Sequence, residues 1–213
     1  SKNKKKINTY WHKRINSKGN YLASNVSSNL HNKKEKKVLS RNGFNLVLLH
    51  VFKDSPFNVI DRNRIFVDYF DWIENNLKII ENSKELWVFK MHPISSRWGE
   101  NQREILNIML RQILKKKLNN LYILGNSNKN DLLLKAKKIL TFSGTAALEA
   151  IVYKKKPIVI CKTNIEKLSN NVVIRPKSLS EYKKILVSKI DFKCSKKQSD
   201  LAKTILYARE NLY

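Results

Sequence analysis

Two cysteines in 213 residues, Cys161 and Cys194, are too few for a disulfide framework and lack metal-ligand spacing. Free thiols buried in a reducing cytoplasm are the state to expect. No apolar run reaches the ~18–20 residues of a membrane span. The lysine-rich stretch that begins at Ser1 holds no signal-peptide core. Acid is scarce: 17 Asp and Glu stand against 43 Lys and Arg, a net charge of +26. Such an excess suits nucleic acid or an anionic membrane face. The lysines, however, run along the whole chain among abundant Asn and Ile, as an AT-rich genome produces. No arginine-rich arm, zinc spacing or aromatic–basic RNA motif accompanies them. Nucleic acid is therefore disfavoured, and peripheral contact with the inner face of a membrane stays open. Internal repeats and an Asp-x-Asp triplet are also missing.

What is present reads as a globular α/β protein. A hydrophobic content of 42% and this length suffice for one sizeable domain plus an appendage. Phe44–Phe52, Glu85–Met91, Leu121–Leu124, Ile139–Phe142 and Ile158–Cys161 are apolar runs of strand length, with Val172–Ile174 a shorter sixth. Amphipathic spacings predict helices over residues 62–82 and 100–117, the latter with Ile105, Leu106, Ile108, Met109, Ile113 and Leu114 facing in. Further helices are expected at 132–136, 146–153, 177–187 and 196–212. Strands alternating with helices predict a Rossmann-like, doubly wound parallel sheet. The first forty residues are polar and basic and cannot form a core. Trp11 and Tyr21 suggest docking against the main domain or a missing one, and Lys33–Lys37 reads as a solvated helical face.

The chain is organised around Ile139-Leu-Thr-Phe142-Ser143-Gly144-Thr145-Ala-Ala-Leu-Glu149, a buried strand passing through a tight turn into a helix. That geometry aims free backbone N–H groups and the positive end of the helix dipole at one point, which suits a phosphate. Gly144 admits close approach, and Ser143 and Thr145 add hydroxyls. Glu149, one turn inside, is placed to accept from two adjacent hydroxyls such as a ribose offers. It lies four residues after Thr145, so a capping box, which needs three, does not explain it. Ordinary capping and first-turn electrostatics remain the alternative.

His50 and His92 also follow predicted strands, and Pro93 fixes His92 at a strand end. In an open parallel sheet these carboxyl ends line one crevice. Lys90 and Arg97 would add positive charge to it. The ligand implied is an anion carrying a sugar, a nucleotide or nucleotide-sugar. A satisfied core histidine is the competing reading of His50.

The order His50-Val-Phe-Lys-Asp54-Ser-Pro56, Asp68-Tyr-Phe-Asp-Trp72, Lys90-Met-His92-Pro93 and Ser143-Gly-Thr145-Ala-Ala-Leu-Glu149-Ala resembles bacterial capsule and surface-polysaccharide biosynthesis proteins. Those proteins are similar to GT-B glycosyltransferases, and the likeness covers about residues 36–182. It implies the carboxyl-terminal, donor-binding half of that fold, with no cofactor beyond the nucleotide-sugar substrate. His92, Ser143, Gly144 and Thr145 would lie at the donor phosphates and Glu149 at the ribose. His50 and Asp54 stand as catalytic candidates in an inter-domain cleft, with the base itself unassigned. No metal is required, since a helix terminus, histidine and lysines can take the charge. Two departures stand out. Lys155-Lys156-Pro157 replaces the usual Gly-Lys-Pro, which removes the glycine of a left-handed cap. Residues 1–40 are also too short for an acceptor-binding half, so they are expected to be the remnant of a preceding domain, with 41–213 the nucleotide-sugar domain. A glycan acceptor and an amino-terminal domain are the partners implied. The rival readings are a GT-B-like nucleotide-sugar epimerase and a basic module on nucleic acid or anionic lipid.

Overall fold

The computed structural model describes residues 2–15, 33–41, 43–53, 65–93, 95–114, 117–125, 129–161 and 171–211. Asp54, Tyr21 and the expected helix start at 62–64 lie outside these. Five short strands, β1 (Asn45–Leu48), β2 (Trp87–Lys90), β3 (Leu121–Leu124), β4 (Lys138–Thr141) and β5 (Ile158–Val159), form one sheet in the order β3-β2-β1-β4-β5. All pairings are parallel, in the register Leu48↔Lys90↔Leu124 on one side and Leu48↔Thr141 on the other. The doubly wound sheet expected from the apolar runs is thus present, with shorter strands. Val172–Ile174 contributes only the bridge between Ile158 and Ile174.

Right-handed crossovers decide which face each helix covers. Moving outward from β1 to β3, α3 (Tyr69–Glu81) and α4 (Gln102–Ile113) pack on one face, where α7 (Leu179–Val187) joins them through Tyr182 and Leu186. The return to β4 and onward to β5 puts α5 (Lys129–Lys135) and α6 (Thr145–Val152) on the other, over Leu46, Leu48, Val88 and Ile139. Residues of opposite parity in each strand, such as Val47 and Phe89 against Leu46 and Val88, feed the two cores. Asp68 caps α3 by accepting from the Asp71 N–H at 2.7 Å. Asn101 caps α4, so that helix begins at Gln102 rather than 100. Ile108, expected inside, is exposed.

The basic amino-terminal segment is built into this body. In α1 (Lys2–Ile15), Tyr10 and Trp11 are buried against α6 and α8 (Lys196–Asn211). Tyr10 Oη donates to the Leu206 carbonyl at 3.2 Å, and Trp11 meets Tyr153 edge to face. Of the two docking surfaces open to Trp11, it uses the main domain. The solvated face expected at 33–37 is half right. In α2 (Lys33–Leu39) Lys36 and Lys37 are exposed, but Glu35 and Val38 are fully buried. No described helix is long and apolar enough to cross a membrane.

Candidate functional site

The sheet reverses direction between β1 and β4: crossovers leave β1 toward β2 on one side and reach β4 and β5 on the other. Such a switch point opens a crevice at the carboxyl edge. His50 leaves β1 there, Ser143 leaves β4, and His92 leaves β2 next door. The His50 and His92 rings lie 25° from parallel with centroids 6.4 Å apart. The three residues that followed predicted strands therefore share one edge.

The turn into α6 is fixed by backbone geometry. Gly144 is the N-cap, at φ 95° and ψ −178°, a region open essentially to glycine alone. A Cβ there would lie 2.9 Å from His50 Cε1. Among the described residues no side-chain cap bond is made at Gly144, which leaves the first N–H groups of α6 for an incoming acceptor. The helix opens at Thr145, one residue before the expected start, and neither Ser143 nor Thr145 serves as its cap.

His50 binds the turn from the β1 side. Its Nε2 lies 2.5 Å from the Ser143 carbonyl oxygen and 3.3 Å from the Ser143 N–H. One nitrogen serves one of these at a time: protonated Nε2 donates to the carbonyl, and bare Nε2 accepts from the N–H. The tautomer thus determines which Ser143 group is left to a ligand. Behind the ring, the His50 N–H donates to Tyr69 Oη at 2.9 Å. Burial pushes the Tyr69 hydroxyl well above its usual pKa, so it is a neutral partner.

A residue the sequence did not single out holds the two histidine loops together. Gln102, buried at the start of α4, donates from Nε2 to the His50 carbonyl at 2.5 Å. It accepts the His92 N–H on Oε1 at 2.7 Å. Ser95 Oγ donates to the His92 carbonyl at 3.1 Å. Beside this clamp a pocket of about 460 Å³ is lined by His92, Pro93, Ser95, Glu100, Gln102 and Gly125, among others. That size falls in the range of small-molecule sites. A buried glutamine two residues beyond a loop glutamate has no sequence pattern that would reveal it.

The charged candidates sit differently. Lys90 is 6% exposed, and its Nζ donates to the Gly125 carbonyl at 2.6 Å and to Met91 O at 3.1 Å. Its ammonium is spent on the β3 edge instead of facing the crevice. Burial chiefly, with Lys129 adding, lowers its pKa to about 8, partly offset by Glu35. Arg97 is exposed on the 3-10 turn Ser95–Trp98 and does not line the pocket. Glu149 is 3% exposed. Arg14 of α1 donates from Nη2 to its Oε1 at 2.7 Å, and Lys129 Nζ lies 2.5 Å from Oε2. Burial alone would raise its pKa, yet the two cations outweigh that and hold the carboxyl below its usual range. Arg14 also pairs with Glu210 of α8. Among the described residues no group of three or more His, Cys, Asp or Glu could hold a metal ion.

No protein-family model and no curated protein matches this sequence. Solved structures do match its fold. S. aureus MnaA, solved with UDP, is 14% identical with a TM-score of 0.51 over 87% of this chain and 50% of its own. A Listeria monocytogenes chain provisionally assigned as a UDP-N-acetylglucosamine 2-epimerase is 14% identical, with a TM-score of 0.50 over 88% and 50%. The chain spans about half the length of the solved proteins it matches. The architecture is that of the carboxyl-terminal, Rossmann-like half of a GT-B-like chain.

Proposed function

We propose that this chain is the nucleotide-sugar-binding half of a GT-B-like enzyme, closer in kind to nucleotide-sugar epimerases than to capsule glycosyltransferases. The observation that carries the reading is the switch-point edge: Gly144 opens the uncapped start of α6 directly against His50, with His92 stacked beyond it. Backbone N–H groups, the helix dipole and two imidazoles make a receptor for a diphosphate that needs no buried lysine. The epimerase preference rests on the fold neighbours, one solved with UDP and one provisionally assigned as a UDP-sugar 2-epimerase. The capsule-protein resemblance of the His-Pro and Ser-Gly-Thr motifs supports the transferase as the second reading. In that case the acceptor hydroxyl attacks the anomeric carbon while the α6 start stabilises the departing diphosphate.

Within this proposal Glu149 takes the ribose, and a glycan acceptor or the catalytic groups come from another domain. The exposed lysines of α1 (Lys4, Lys5, Lys6, Lys13) would suit an anionic membrane face. A thermal-shift panel tests the reading. UDP and UDP-sugars should raise the melting temperature in a concentration-dependent way, with uridine far weaker. The chain alone should give neither sugar transfer nor epimerisation at a useful rate. Robust turnover by these 213 residues would contradict the half-enzyme reading, and no shift with any nucleotide would contradict the site.

A further inference from the structure

The carboxylate placed to receive the ribose is already occupied, and the occupant comes from the first helix of the chain. Glu149 Oε1 holds the Arg14 guanidinium at 2.7 Å and Oε2 holds Lys129 at 2.5 Å, with 3% of the residue exposed. Two ribose hydroxyls cannot reach those oxygens while both cations stay. Lys129 belongs to α5, packed on the sheet through Leu132 and Leu133. Arg14 ends α1, a helix held mainly by Tyr10 and Trp11 on α6 and α8. Of the two, Lys129 rides on a helix packed directly on the sheet, whereas Arg14 ends a helix attached through α6 and α8, and it is the one that can leave. Its other acceptor, Glu210, is on α8 rather than at the site, so an undocked Arg14 gives up both contacts together.

We propose that α1 is an intramolecular latch on the nucleotide site, in which Arg14 competes with the ribose hydroxyls for the Glu149 carboxylate. This rests on the nucleotide reading above. Binding then requires α1 to release Glu149, and anything that captures α1 elsewhere raises nucleotide affinity. The latch acts at the ribose end: Arg14 bonds Glu149, whereas the diphosphate end is built from Gly144 and the histidines.

The test is calorimetric titration of UDP and 2′,3′-dideoxy-UDP into wild type, Arg14→Ala and Trp11→Ala. The last undocks α1 by loss of packing and leaves the ion pair's chemistry intact. Both variants should bind UDP about tenfold more tightly than wild type, the scale of one charge-assisted hydrogen bond. Neither should gain for the dideoxy ligand. In wild type, saturating UDP should speed amide exchange in residues 2–15. Wild type binding UDP with Arg14→Ala unchanged or weaker would overturn the latch and make Arg14 a positioning residue for Glu149. Slower exchange in α1 on binding would do the same if Arg14→Ala failed to fold. Absence of UDP binding in all three folded proteins would overturn the nucleotide reading itself and the latch with it.

Discussion

The two ends of α6 place the chain in the same left-handed half of backbone space and fill it with different residues. At the start stands Gly144, φ 95°; just past the end stands Lys154, φ 59°. At the far end the Lys155 N–H reaches the Ala150 carbonyl at 3.0 Å and the Lys154 N–H the Ile151 carbonyl at 2.9 Å, the paired bonds of a Schellman cap. The left-handed cap forms without glycine, on Lys154, one residue before the Lys155 position at which its loss was expected. A lysine there costs about 1 kcal/mol and nothing else, because its side chain meets solvent. Gly144 has no such freedom: its ψ suits only glycine, and His50 occupies the space a side chain would take. The start of α6 is over-determined, whereas its far end only has to stop a helix.

Gly144→Ala should have the largest effect on the fold and on binding. Strain plus the collision with His50 should cost about 3 kcal/mol in chemical denaturation and abolish UDP binding. A loss below ~1 kcal/mol would mean the turn is as tolerant as the far end.

Lys90 asks whether charge helps build the same edge. Its folded pKa, about 8, lies below its ordinary 10.5, so between those values the unfolded chain binds more protons and stability rises with pH. Burying the ammonium is a penalty at pH 7 that fades as pH passes 8 toward 10.5. From pH 7.5 to 10.5 wild type should therefore gain about 3 kcal/mol over Lys90→Met. Parallel pH curves for the two proteins would show that Lys90 is not held this way.

Gln102→Leu tests the clamp that presses His50 onto Gly144. Removing the Gln102 bonds to the His50 carbonyl and the His92 N–H should cost about 2 kcal/mol. It should also weaken UDP binding more than an exposed substitution such as Arg97→Gln, which should change neither. Last and smallest, Lys154→Gly should stabilise by about 0.5 kcal/mol, strain relief less glycine's entropy, with UDP affinity untouched.

Much of this was legible in the sequence because the signals are local. Val47, Phe89 and Leu140 lie in runs apolar on both sides of the pleat, which only a doubly covered strand requires. A histidine or a Ser-Gly-Thr that follows such a run falls at the carboxyl edge whatever the rest of the chain does. The sequence could not show pairings made across distance. Arg14 and Glu149 are 135 positions apart, and Gln102 meets His50 across 52. Lys90 looked like a crevice cation because it precedes His92. Alternation along the strand instead turns it to the opposite face from Phe89, where Gly125 and Lys129 surround it. Arg97 was close in sequence to the site and is exposed on the turn beside it.

The proposed site receives a diphosphate at the β1–β4 edge through the α6 start and the two histidines. Titration of UDP and uridine into wild type and His92→Ala tests it most directly. UDP should bind saturably and uridine much more weakly, and His92→Ala should lose about 1.5–3 kcal/mol for UDP and almost nothing for uridine. A folded His92→Ala protein that binds UDP as well as wild type does, or uridine binding as tightly as UDP, would contradict it.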